Sequence, residues 1–268
     1  MRLRALRNAR GWTVERVAQE LLCSATKISR METGSRRVSL RDVRDLCRMF
    51  QVTGEAEAEL MELAHQAREA SWWTQYDDPL MSPLLGLEQE AAAITSFSMY
   101  YVPALLQTAA YAQAITRGID RETDAAVVAQ RVEARMRRQR LLVQERPPRF
   151  RALLDEAVLH RQVGGPTVMN AQLRTILSAV DDARAVVQVI PFSVGAHAAI
   201  EQFDFLQFRV GSSHGPVVFI EGLFTNRYLE RPAEVERYRQ AIEHLRDAAL
   251  SPRDSEGLIR QIQATYPD

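Results

Sequence analysis

Between residues 3 and 50 the apolar positions recur at helical spacing in short blocks, each closed by a turn signal, and the blocks predict four helices. The first runs from Leu3 to Arg10 and stops at Gly11. Thr13 N-caps the second, with Arg16 at its N3 position, and Val14, Val17, Ala18 and Leu21 face inward until the helix ends near Leu22. Ser24 caps a third from Ala25 to Thr33, placing Ile28 and Met31 inside and Thr26, Lys27 and Arg30 outside, and Gly34 ends it. Ser39 caps a fourth from Leu40 to Phe50, whose stripe is Val43, Leu46, Cys47 and Phe50, and a fifth helix runs from Glu55 to Arg68. Two short helices joined by a tight turn, the second with a polar face of Ser, Thr, Lys and Arg, suit a DNA major groove.

Further along the pattern breaks at Ser71-Trp72-Trp73, which reads as a connector whose paired tryptophans need an apolar partner. Leu87 to Tyr100, Pro103 to Thr116 and Thr123 to Gln144 are predicted helical. Beyond Pro147-Pro148 the period shortens: Phe150 to Leu159, Val186 to Phe192, Phe203 to Phe208 and Val217 to Glu221 are strand-length runs of β-branched and aromatic residues. A helix from Thr167 to Ala179 separates the first two runs, and helices from Ala233 to Leu250 and Asp254 to Ala264 close the chain. The expected fold is mainly α: five N-terminal helices over residues 1–70, a connector over 71–86, and an α+β domain with a small sheet over 87–268 that serves regulation, dimerisation or partner binding.

Composition sharpens that division. The 268 residues carry 34 basic and 34 acidic side chains, but residues 1–50 hold 12 basic against 5 acidic ones, which leaves the remainder net acidic. A basic segment joined to an acidic body is expected where one end meets phosphates. Apolar runs of roughly eighteen residues and a signal segment are both missing, so a cytoplasmic chain without membrane association is expected. The two cysteines, Cys23 and Cys47, lack ligand neighbours and read as small core residues.

The motifs Leu6-Arg7, Gly11-Trp12-Thr13, Val17-Ala18, Leu21, Ser24, Ile28-Ser29-Arg30-Met31-Glu32, Gly34 and Leu40 resemble those of XRE-family, lambda-repressor-like helix-turn-helix regulators over Leu3 to Phe50. The resemblance implies a buried ion pair between Arg7 and Glu32. It also implies that Ala25, Thr26 and Arg30 face base edges, and that Ser24, Lys27, Ser29, Arg36 and Arg37 lie near phosphates. Two departures stand out: Val14 where the family often has Gln, a phosphate contact, and Leu22 where Gly often takes a left-handed turn conformation. The C-terminal part carries Val102 to Gln107, Leu154 to Leu159, Val163 to Pro166, Val187 to Phe192, Gly195 to His197 and Tyr228 to Glu230. These resemble the uncharacterised domain that follows XRE-type domains in actinobacterial, WhiJ-like regulators of Streptomyces, which implies an antitoxin-like protein and a small acidic companion protein.

Scattered through this region are Asp155, Glu156, His160, His197, Glu201, His214 and Glu221, residue types suited to acid–base or metal chemistry. They form no HExxH, nucleophile elbow or phosphate-binding glycine loop, so neither an enzyme nor a cofactor is expected. Asp155, inside an apolar run, reads as an anchor, and Gly195-Ala196-His197 as a loop that lines an effector pocket or simply turns. The arginines at 131, 135, 137, 138 and 140 read as a solvated face or as a dock for the companion protein. The sequence thus points to a DNA-binding transcriptional regulator, expected to be a homodimer on double-stranded DNA, with an antitoxin-like adaptor and a small-molecule sensor as alternatives.

Overall fold

The computed structural model of the chain describes residues 2–32, 38–66, 82–119, 121–200, 204–210, 215–222 and 226–267. They fall into two compact units, Met1–Leu85 and Gly86–Asp268. In the first, five helices follow in order: α1 (Arg2–Ala9), α2 (Val14–Glu20), α3 (Ala25–Glu32), α4 (Leu40–Met49) and α5 (Glu55–Gln66). Val17, Ala18, Ile28, Met31, Leu46 and Phe50 form one buried cluster. Val43 and Cys47 turn to the other side of α4 and meet Leu60 and Ala64 of α5. Burial of these stripes outweighs the weak intrinsic stability of helices this short. The ends expected at Thr33 and Arg68, the stop at Gly34 and the Trp72-Trp73 connector lie outside the described residues.

Between α2 and α3 the chain turns through Leu22, whose φ of 50° is left-handed. The Leu22 amide donates to the Gln19 carbonyl at 3.1 Å and the Cys23 amide to the Ala18 carbonyl at 2.9 Å. That crossed pair of bonds closes the C-terminus of α2 as a glycine-ended helix would be closed. Leu22 is 95% exposed, so its side chain gains nothing from burial to offset the strained backbone.

α6 (Ser82–Glu90) leads into the second unit, which is built on a six-stranded sheet: β1 (Ala91–Ser98), β2 (Arg149–Asp155), β3 (Val186–Ile190), β4 (Phe205–Val210), β5 (Val217–Ile220) and β6 (Arg227–Leu229), in the spatial order β3-β2-β1-β4-β5-β6. The first three strands are parallel, with Phe97 opposite Leu153 and Leu154 opposite Val189. The last three continue antiparallel from β1, with Phe97 opposite Phe205. Parallel neighbours require long crossovers. A 3₁₀ turn (Ala104–Leu106), α7 (Ala109–Ile119) and α8 (Ala125–Arg138) join β1 to β2, while α9 (Ala157–His160) and α10 (Pro166–Asp181) join β2 to β3. After β6 come α11 (Pro232–Ala248) and α12 (Pro252–Gln263). Ile242 and Leu245 of α11 cover the sheet face made by Phe97, Leu153, Ile190, Phe205 and Val218.

Helices followed by an α+β unit match the expected fold class, but the stretch from Leu87 to Tyr100 is corrected. Its first residues end α6, and Ala91 onward is a strand at the centre of the sheet. Ala93, Ile94, Ser96, Phe97 and Ser98 are all buried, because a strand covered on both faces has no polar side to show an alternating pattern. The run Phe150–Leu159 divides at Asp155 into a strand and the short α9, and β6 adds a strand that the four predicted runs did not include.

Candidate nucleic-acid interface

The second helix of the helix-turn-helix is set by its own first turn. The Ser24 hydroxyl accepts the Lys27 amide at 3.1 Å, as a helix N-cap does. Ile28 and Met31 are buried against α2 and α4, which leaves Thr26, Ser29 and Arg30 on the exposed side. Ser24 is exposed as well. Ala25 is half-buried and packs against the same core. Arg36 and Arg37 lie outside the described residues.

Lys27 has a different role in the structure from a solvated cation. Its Nζ lies 2.6 Å from Asp42 Oδ1, tying α3 to α4. Asp42 is also the N3 residue of a capping box: the Ser39 hydroxyl accepts the Asp42 amide, and Asp42 Oδ2 accepts the Ser39 amide. Burial pushes the Asp42 carboxyl up, but hydrogen bonds from Lys27 and Ser39 outweigh it and hold the group below its ordinary value. The Ser39-x-x-Asp42 spacing was a signal for the box. The bridge to Lys27 depends on how α3 and α4 cross and had no local signal.

Under this face Arg7 donates from Nε and Nη2 to the two Glu32 oxygens, at 2.6 and 2.8 Å, and from Nη1 to the Trp12 carbonyl at 2.8 Å. Both side chains are nearly buried, and the Glu32 hydrogen bond raises the Arg7 pKa against the effect of burial. One guanidinium therefore fixes α1, the loop before α2 and the end of α3. Trp12 meets Phe50 edge-on at 5.9 Å, and the Arg16 guanidinium sits 4.3 Å above the Trp12 ring, a cation–π contact that sequence reasoning missed. The face is thus a rigid, polar surface on a braced frame.

The acid and histidine candidates of the second unit separate into pairs. His197 Nε2 lies 3.4 Å from Asp155 Oδ2, and the other Asp155 oxygen accepts the Ala157 amide at 2.8 Å, starting α9. His160 and Glu156 pair at 3.2 Å, and Glu156 also accepts the Phe192 amide. Glu221 accepts from the Tyr101 hydroxyl at 3.3 Å. Glu201 and His214 lie outside the described residues. Among the described residues no three His, Cys, Asp or Glu side chains are grouped as metal ligands, and no helix is long and apolar enough to cross a membrane.

The arginine run of α8 is only partly a surface. Arg138 is buried and gives Glu88 of α6 two hydrogen bonds, from Nε at 3.0 Å and Nη2 at 2.6 Å. Arg135 turns inward to Gln107 at 2.7 Å. Burial lowers the Arg135 pKa, helped by the neighbouring Arg138. The solvated or docking face expected there shrinks to the remaining positions, of which Arg131 and Arg140 are exposed.

Comparison with known families agrees with this division. A model described as "Helix-turn-helix domain" matches residues 1–60, which points to a DNA-binding regulator. A second, "Domain of unknown function (DUF5753)", matches residues 81–261. No curated protein and no solved structure shows a significant match. With about two thirds of its length covered by the second match, the chain belongs to the DUF5753 family and carries a helix-turn-helix domain before it.

Proposed function

We propose that the chain is a sequence-specific transcriptional regulator of the XRE, lambda-repressor-like kind that binds double-stranded DNA as a homodimer, with α3 in the major groove. The observation that carries this reading is the composition of α3: its apolar residues are all used in the core, and Thr26, Ser29 and Arg30 form the exposed face beside the Ser24 cap. In this reading Arg30 donates two hydrogen bonds to a guanine edge, worth roughly 1 to 3 kcal/mol of discrimination, Thr26 touches a thymine methyl, and Ala25 lies against a neighbouring base. Ser24, Ser29, Arg36 and Arg37 meet phosphates. Lys27 joins them by exchanging or sharing its bond to Asp42. Two copies related by a two-fold axis place their α3 helices about 34 Å apart, one turn of DNA, and read a pseudo-palindromic operator.

Fluorescence anisotropy on the region upstream of the protein's own gene, across a salt series, tests this directly. Arg30→Ala is expected to lower affinity for the preferred site by roughly ten- to a hundredfold while leaving affinity for random DNA nearly unchanged. Equal losses on both DNAs would remove Arg30 from base recognition. Analytical ultracentrifugation of the full chain, with and without operator, checks the dimer.

A further inference from the structure

We propose that the second unit holds a binding site for a small amphipathic anion, an apolar ring-bearing molecule with one carboxylate, in the cleft above the C-terminal ends of β1, β2 and β3. The topology makes the cleft. β1 has β2 on one side and β4 on the other, so the chain leaving β3 must cross the carboxyl ends of β2 and β1 to reach β4. Ligands of α/β sheets gather at such a place, where strand order departs in two directions. The space at these strand ends, lined by residues of 99–100, 155–161 and 191–200, is about 330 Å³, within the range that encloses small organic ligands.

The lining chemistry selects the ligand class. Tyr100 and Phe192, 43% and 58% exposed, are the two exposed Phe, Tyr or Trp side chains among the described residues, and both line this cleft together with Ile200, itself 52% exposed. A soluble surface has no stabilising reason to gather its exposed aromatic groups around one concavity. The polar base is closed. The Ala199 amide donates to His197 Nδ1 at 3.3 Å, His197 Nε2 lies 3.4 Å from Asp155 Oδ2, and the Ala157 amide donates to Asp155 Oδ1. Phe97 packs edge-on against the His197 ring at 5.8 Å and holds it there. A ligand cation would meet a carboxylate that already accepts the Ala157 amide and has the His197 ring nitrogen 3.4 Å from its other oxygen. Arg161 also lines the cleft, and its guanidinium has no ion-pair or hydrogen-bond partner among the described residues. A ligand carboxylate on Arg161, with its ring among Tyr100, Phe192 and Ile200, satisfies both kinds of group at once.

The test is calorimetric titration of the full chain with 2-naphthoate and with its neutral carboxamide, 2-naphthamide, alongside Arg161→Gln and Ile200→Trp, each variant first shown to melt like wild type. Expected are saturable, millimolar or tighter binding of naphthoate, about tenfold weaker binding of the amide, loss of that preference in Arg161→Gln, and loss of binding in Ile200→Trp, which fills the cleft. Absence of saturable naphthoate binding, equal affinity for acid and amide, or binding untouched by Ile200→Trp overturns the site. A role as an effector site rests on the regulator reading, and operator affinity with and without naphthoate measures it separately. Unchanged operator affinity overturns the effector role alone, whereas the calorimetry needs no DNA and stands whether or not an operator is found.

Discussion

Each unit contains a buried arginine held by two hydrogen bonds to a glutamate, and the two pairs brace different amounts of structure. Arg7 and Glu32 are 25 residues apart and hold a five-helix unit together, with the third contact to Trp12 fixing the entry to α2. Arg138 and Glu88 are 50 residues apart and join α8 to α6 in a unit with a six-stranded sheet and several other layers of support. The isolated strength of such a pair matters less than what remains when one partner is lost: an uncompensated buried charge, in a small core or in a large one.

Arg7→Ala should therefore have the largest effect. A loss of about 3–5 kcal/mol is comparable to the whole stability of a domain this small, and the N-terminal unit should unfold and lose DNA binding. Trp12 lies in this unit, edge-on to Phe50, so its fluorescence, read in a chain with Trp72 and Trp73 replaced by phenylalanine, follows the unit while the sheet is followed by circular dichroism. Arg138→Ala should cost a similar amount, about 3–5 kcal/mol, yet leave a folded second unit with a lower urea midpoint and the N-terminal fluorescence unchanged. If the two substitutions shift both signals together, the units do not unfold independently and the contrast fails.

Asp204 sharpens the comparison, because it is a buried acid whose Oδ2 has no hydrogen-bond partner among the described residues. Burial pushes its carboxyl up to about 6, only partly offset by the Met99 amide at 2.8 Å. The folded state thus binds the proton more tightly than the unfolded chain. That advantage is fully present below the ordinary carboxylate value and is lost as pH rises through about 6, a difference of up to about 3 kcal/mol. Asp204→Asn should raise the urea midpoint at about pH 7 and leave it nearly unchanged at about pH 4. A pH-independent difference would contradict the assignment. The smallest effect is expected at Leu22, where glycine relieves the left-handed strain without emptying the core. Leu22→Gly should stabilise the first unit by about 1 kcal/mol in thermal melts, and a loss would mean that the leucine side chain has a contact worth more than its strain.

Legibility followed the covering of each element. The amphipathic helices of the first unit could be located from one polar and one apolar face, and the N-caps Thr13, Ser24 and Ser39 marked their starts. β1 could not, since Ala91-Ala92-Ala93 favours helix locally and the strand is buried on both sides. The Arg7–Glu32 contact entered only through a resemblance. Arg138–Glu88 had a faint local signal: Val128, Arg131, Arg135, Arg138 and Leu142 share one helical stripe whose ends, Val128 and Leu142, are buried. A run of arginines is read as solvated by default, and their partners on other elements are invisible to spacing. The same limit applies to the cleft, whose walls come from three separate segments.

One hydroxyl group helps to close an outer edge of the sheet. β3 is an outer strand, and its exposed edge is closed at Val189, where the Ser255 hydroxyl accepts the strand amide at 2.9 Å and the Leu250 amide donates to the strand carbonyl at 2.9 Å. The start of α12 thus occupies the position of a seventh strand without being one. A chain that lost its last helix would present an apolar strand with open donors and acceptors, a template for growth by addition of further chains. The C-terminal helix is therefore a guard on solubility as well as a layer of the fold.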